Sequence, residues 1–219
     1  MSDINAWNKI PLKDYEQHMQ HTGVEQSQLL NSLTKKYLQK CDPEQLLFLG
    51  ISGGNGLEHI DTKKVKSVCC IDINKSYIEA TRKRFAHRIK QLKLINADIN
   101  ASDESFLKAD FVWGALIFEY VDIEHCFEFL QKNTTEGAAL IITIQSNNGV
   151  ESVSKTGIKS LNLVEDIFKV VDKEDLKQKA LTSGFKLVYC EENILPNGKS
   201  FFTLEFMKKR QGIEQAVNS

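Results

Sequence analysis

The stretch that most restricts the fold is Gln45–Gly56. Leu46-Leu47-Phe48-Leu49 runs straight into Gly50-Ile51-Ser52-Gly53-Gly54-Asn55-Gly56. A short apolar run ending in turn residues reads as a buried strand. Glycines directly after a strand let the backbone pass close to a ligand, at the end of an open α/β sheet where ligands collect. A helix is expected to begin just beyond, where its free N–H groups favour a carboxylate or phosphate.

The rest of the chain repeats the alternation. A helix is predicted over Val24–Lys40, with Leu29, Leu30, Leu33, Tyr37 and Leu38 at helical spacing and Thr22 as N-cap. Strands follow at Val65–Ile73, Leu92–Ala97, Phe111–Leu116 and Ala138–Ile144, the last nearly all apolar, as in a strand covered on both faces. Helical spacing returns at Tyr77–Ile89, capped by Asn74 or Ser76, and around Ile123–Leu130. Asp172 with Asp175 opens a helix that Gly184 closes. Lys186–Glu191 and Phe201–Met207 then read as two strands joined only by Pro196-Asn197-Gly198, so they must run antiparallel. The expected fold is α/β: a Rossmann-like, doubly wound, mostly parallel seven-stranded sheet with one antiparallel strand near the C-terminus and helices on both faces.

At 219 residues the chain suits one domain with a short extension. Net charge is −1, which argues against a general nucleic-acid binder. Arg82–Lys83–Arg84 with Arg88 reads as a solvated helix face, and Lys208–Lys209–Arg210 as a solubilising cluster. Five cysteines lack C-x-x-C spacing, and Cys69–Cys70 sit inside an apolar run, so neither a disulfide framework nor a metal site is expected. No membrane span and no secretory signal is visible, and a cytoplasmic location is the expectation.

A nicotinamide fingerprint, G-x-G-x-x-G, fails here: counted from Gly50, its second and third positions hold Ser52 and Asn55. The spacing G-x-(G/S)-x-G fits, on Gly50, Ser52 and Gly54. With Leu47–Gly56, Cys70–Asn74, Asn96–Ile99 and Ala109–Val121 in that order, the chain resembles the class I S-adenosylmethionine-dependent methyltransferases over roughly residues 45 to 207. The resemblance implies that Gly50, Ser52 and Gly54 contact the cofactor's amino-acid part and ribose. It implies that Asp72 accepts from the ribose hydroxyls, Asp98 from the adenine amino group, and that Ile73 and Ile99 sandwich the ring. Gly114 and Ala115 would border the methyl-bearing end. Two positions depart from the family pattern. Phe48 stands where an acid is usual, and Ser52 replaces a glycine, which is tolerable only at negative φ.

Methyl transfer needs alignment more than a fixed catalytic residue, and a base only when the acceptor arrives protonated. Glu119, after the fourth strand, could bind a cation or take a proton. In related enzymes N-terminal segments fold over the cofactor, which makes Tyr15 and His18 candidates for the pocket. His59, His87 and His125 receive no chemistry. Gln145–Val171 is long, polar at its start, and leaves the ligand end of the sheet, so it could shape the acceptor pocket. The expected division is a helical cover over residues 1–44, a cofactor-binding domain over 45–210 and a tail over 211–219. The leading function is methyl transfer from S-adenosylmethionine to a small-molecule acceptor, leaving S-adenosylhomocysteine. A protein or nucleic-acid methyltransferase and a non-catalytic cofactor-binding protein are the alternatives.

Overall fold

The computed structural model describes residues 5–102 and 104–210; the expected tail at 211–219 lies outside them. Seven strands form one sheet: β1 Gln45–Leu49, β2 Ser67–Asp72, β3 Leu92–Asn96, β4 Ala109–Ala115, β5 Thr134–Ser146, β6 Phe185–Ile194 and β7 Ser200–Lys208. Their order across the sheet is β3-β2-β1-β4-β5-β7-β6. Pairing is parallel from β3 to β5, while β7 is antiparallel to both β5 and β6. The chain order reverses between β1 and β4, and in an open sheet the crevice beyond such a switch point is where ligands bind.

Both faces of the central strands are buried, which accounts for their continuous apolar runs. Along β1, Leu46 and Phe48 pack with Leu30, Leu33 and Tyr37 of α2, Gln26–Cys41. Leu47 and Leu49 pack on the other face with Phe127 and Leu130 of α4, Ile123–Asn133. Phe48 is therefore core under α2, and an acid there would be buried with its charge uncompensated. The remaining helices are α1 Leu12–Gln20, α3 Lys75–Phe85, the single turn α5 Asn162–Glu165, and α6 Lys173–Thr182.

Caps explain several boundaries. Asn74 accepts from the amides of Ser76 and Tyr77 at the start of α3, and Asp172 from Asp175 at the start of α6. Thr22 is not the cap of α2; Glu25 holds that position with φ 52 and no side-chain bond.

The largest departure from expectation follows the glycine turn. No α-helix opens there, only a three-residue 3-10 turn at Leu57–His59. A β-carbon at Gly54 would come 2.5 Å from Phe85, and one at Gly56 2.6 Å from Thr34. The turn is thus wedged between α2 and α3 before the chain crosses to β2 at Ser67.

The basic residues of α3 are not simply solvated. Arg84 donates to Gly53 O at 2.9 Å and, in a two-pronged ion pair, to Glu16 of α1. Lys208 likewise donates to the carbonyls of Gln131 and Thr134. Cys69 and Cys70 are buried free thiols of the core.

Candidate active site

At the switch point four strand ends and the N-terminal segment enclose a cavity of about 70 Å³. Its walls include Gly50, Ser52, Asp72, Ile73, Asp98, Ile99 and Ala115. Seven of the nine residues assigned to the cofactor by resemblance thus face one space. Gly54 and Gly114 do not. Gly54 packs against Phe85, and a β-carbon at Gly114 would meet Phe118 at 3.2 Å.

Asp72 closes β2 and is buried, at 7 % exposure. One carboxylate oxygen accepts from Ser52 N and the other from Asn74 N, both at 2.8 Å. Burial outweighs these two bonds and holds its carboxyl up at about 6. Asp98 caps the short 3-10 turn Ile99–Ala101 by accepting from Asn100 N at 2.9 Å. Ser52 contradicts the expected backbone geometry: its φ is 52, in the left-handed region. Leu116, after β4, shares this conformation with φ 54, and its amide donates to Thr143 O at 2.8 Å. Backbone in this region is costly for residues with a side chain and gathers at functional sites.

The N-terminal segment lies against this cavity. Trp7, in a 3-10 turn, and Tyr15, in α1, both line it. Asn74 ties the segment down by donating to Trp7 O at 2.9 Å. Tyr15 sits between Trp7 and Tyr77, with ring centroids 5.9 and 6.0 Å away. Burial raises the Tyr15 hydroxyl above its ordinary value, with the nearby Ser52 side chain acting the other way.

A second cavity, of about 60 Å³, lies on the far side of Trp7, Tyr15, Leu116 and Tyr120. It adds Phe168 and Val164 from the long segment between β5 and β6, and His18, Gln26, Gln145 and Ser152 at its inner end. His18 Nδ1 and Thr156 Oγ1 are 2.9 Å apart. Burial, then the nearby Lys199, hold the imidazole down to about 4, so it is neutral at pH 7. The two covering segments are also joined by Ser160 Oγ donating to Asp14 at 2.6 Å.

Glu119 lines neither cavity. It is fully buried; one oxygen accepts from Gln145 N at 2.7 Å and the other has no partner among the described residues. Burial raises its carboxyl to about 7 against an ordinary 4.5. The folded chain therefore keeps this proton where the unfolded chain has lost it, and stability falls as pH rises from about 4.5 through 7. Glu119→Gln removes that loss. Its melting temperature should match wild type at pH 4.5 and exceed it by about 5 °C at pH 8, read by circular dichroism across pH. A constant offset at every pH would show that Glu119 is not titrating inside the fold.

Sequence reasoning places Trp7 in a covering segment and Leu116 and Tyr120 in a stretch near the acceptor without naming any of them as a wall, and it misses Tyr77. Aromatic and aliphatic residues carry no chemical signature, and only their position in the folded chain places them here. Arg84 was missed because it sits in a run of cations.

No protein-family model matches the sequence, and a search of curated proteins finds no match. Solved structures do match. The N-methyltransferase NodS of Bradyrhizobium japonicum WM9, bound to S-adenosylhomocysteine, aligns with a TM-score of 0.63 and 14% identity over 84% of this chain and 87% of its own. An S-adenosylmethionine-dependent methyltransferase of Methanosarcina mazei gives 0.63 and 13% over 80% and 98%. SpnF, described as a [4+2]-cyclase, gives 0.65 and 10% over 82% and 80%. The strand order, the single antiparallel strand and the cavity at the switch point agree with these alignments: the chain has the fold of the class I S-adenosylmethionine-dependent methyltransferases.

Proposed function

We propose that this protein is an S-adenosylmethionine-dependent methyltransferase acting on a small molecule. The observation that carries the reading is the buried Asp72 carboxylate, clamped to the glycine turn through Ser52 N and sharing one cavity with Asp98, Ile73 and Ile99. That donor set suits an adenosyl group. Asp72 would hold the two ribose hydroxyls, Asp98 the adenine amine, and the isoleucines the ring faces. Gly50 and Ala115 leave the wall free of side-chain bulk toward the amino-acid end. When bound, the cofactor supplies a methyl group on a sulfonium, already activated for displacement.

This chain's own part is positioning and exclusion of water. The cavity is far smaller than the roughly 300 Å³ at which ligand pockets begin. An open cleft of about 890 Å³ runs along Gly50–Asn55 and meets this cavity at Tyr15, so displacement of Trp7 and Tyr15 would join the two to admit a cofactor and close again over it. Residues 5–21 act as this lid, the domain proper beginning near Gln45. His18, neutral and fixed by Thr156, is the group that would take a proton from an acceptor; Tyr15 would align it. Glu119 acts behind the wall, holding the end of β5 through Gln145 N.

A second reading, binding of the cofactor without methyl transfer, is favoured by one observation: SpnF, named as a cyclase, shares the fold. The two readings part on transfer alone. Calorimetric titration should show S-adenosylmethionine and S-adenosylhomocysteine binding and NAD not binding. Incubation with methyl-labelled cofactor and a metabolite extract should then label a small-molecule fraction. NAD binding in place of the adenosyl ligands overturns the central assignment, and cofactor binding without labelling favours the second reading.

A further inference from the structure

The second cavity has a polar end whose chemistry is one-sided. Among its lining residues none is acidic. Three groups there have donor capacity to spare among the described residues. Gln26 uses one amide N–H on Gln145 Oε1 at 2.8 Å and keeps the other. The Ser152 hydroxyl accepts from Asn147 Nδ2 at 2.9 Å and has its own proton free. His18 Nε2 has no hydrogen-bond partner among the described residues, and it donates into the cavity in the tautomer whose Nδ1 accepts from Thr156 Oγ1, or once the ring is protonated.

Behind them lies an ammonium group. Lys199, at the start of β7, is 2 % exposed. Its Nζ donates to Ser152 O at 2.6 Å and Ser154 Oγ at 3.1 Å, both neutral acceptors. Burial lowers it to about 8. The acids that act on it, Glu151 and Glu165, do so only at a distance, and Glu151 pairs with Lys155 instead. The groups acting on His18 are Lys199 and His21, both basic. A buried cation without a counter-charge is expensive, and here it stands behind a cluster of unused donors.

We infer that the inner end of this cavity, formed by His18, Gln26 and Ser152 with Lys199 behind, is a carboxylate-binding site. The inference rests on the methyltransferase reading for the source of the ligand but not for the chemistry of the site. The carboxylate belongs either to the acceptor or to the amino-acid end of the cofactor. The aromatic walls, Trp7, Tyr120 and Phe168, suit the body of an acceptor.

The probes are benzoate and its neutral isostere benzamide, then S-adenosylhomocysteine and 5′-methylthioadenosine, which lacks the amino-acid carboxylate. Affinities come from calorimetry. His18 titration comes from NMR, its signal assigned by loss in His18→Gln. Benzoate should bind at least about tenfold tighter than benzamide, and should raise the proton affinity of His18 by about tenfold. Lys199→Met should remove that preference and leave benzamide binding unchanged. Ser152→Ala, which removes only the hydroxyl and leaves the carbonyl that Lys199 bonds, should weaken benzoate by a few-fold and keeps the test open if Lys199→Met fails to fold. If benzoate binds alongside saturating S-adenosylhomocysteine, the site serves the acceptor. If S-adenosylhomocysteine, but not methylthioadenosine, moves His18 and blocks benzoate, the site serves the cofactor. Equal affinity for benzoate and benzamide, with His18 unmoved by any probe, overturns the inference. Failure of both adenosyl ligands to bind overturns the methyltransferase reading while leaving the benzoate result standing.

Discussion

Asp72→Ala is expected to weaken S-adenosylhomocysteine binding by about a hundredfold or more, and Asp98→Ala by about tenfold. Hydrogen bonds to a charged acceptor contribute roughly 1.5–3 kcal/mol each. Asp72 would make two, from a carboxylate already oriented by Ser52 N and Asn74 N. Asp98 would make one, while Ile73 and Ile99 continue to hold the ring. Asp72→Ala also strands two amides at the cavity wall, so the variant should melt below wild type. Asp72→Asn, which keeps an acceptor for one of them, should melt between the two. Calorimetric titration of folded variants decides the comparison. Equal losses, or a larger loss at Asp98, would mean that the adenosyl group lies the other way round or elsewhere.

Removing residues 1–21 should separate binding from turnover. Trp7 and Tyr15 line both small cavities, and neither cavity admits a cofactor while they stay. Without them S-adenosylhomocysteine should associate at least about tenfold faster in stopped-flow measurements, because no closed lid reduces the competent fraction. Transfer to the acceptor should fall to background, since the same residues keep water out and complete the second cavity. The sheet begins after this segment and should remain folded. Ile10 and Met19, both buried, leave apolar surface behind, so a lower melting temperature is expected. Unchanged association would show that the lid is open most of the time in solution. A chain that does not fold would make the segment core structure.

Much of the fold was legible because both of its periods are visible in the residues. The central parallel strands show nearly continuous apolar runs, since each is covered on two faces, while the edge strand β3 is interrupted by the exposed Lys93. The Pro196-Asn197-Gly198 turn forced the late antiparallel strand. Acids at the ends of β2 and β3 could be found because chain order alone places strand ends beside a glycine turn. What stayed hidden depends on packing between distant segments. The close packing of Gly54 against Phe85 and of Gly56 against Thr34, next to the point where an α-helix was expected, is recorded by no local propensity. The full burial of Glu119 could not be separated from an exposed cap, because one acid among apolar neighbours reads the same in both cases. Lys199 looked like an ordinary turn lysine. Its burial depends on the loop from Ser152 to Ser154 folding over it from some 45 positions away.

Ser52 and Leu116 hold backbone conformations that glycine would adopt without penalty, each at a cost of about 1–2 kcal/mol. Glycine at either place would give the same turn more cheaply. What it would not give is a hydroxyl beside Tyr15, or a branched chain between the two cavities. At these two points the shape of the loop and the identity of the side chain are therefore separate requirements, and they pull toward different residues. Substituting glycine tests them apart: the turn keeps its path, while the chemistry that the side chain adds is subtracted alone.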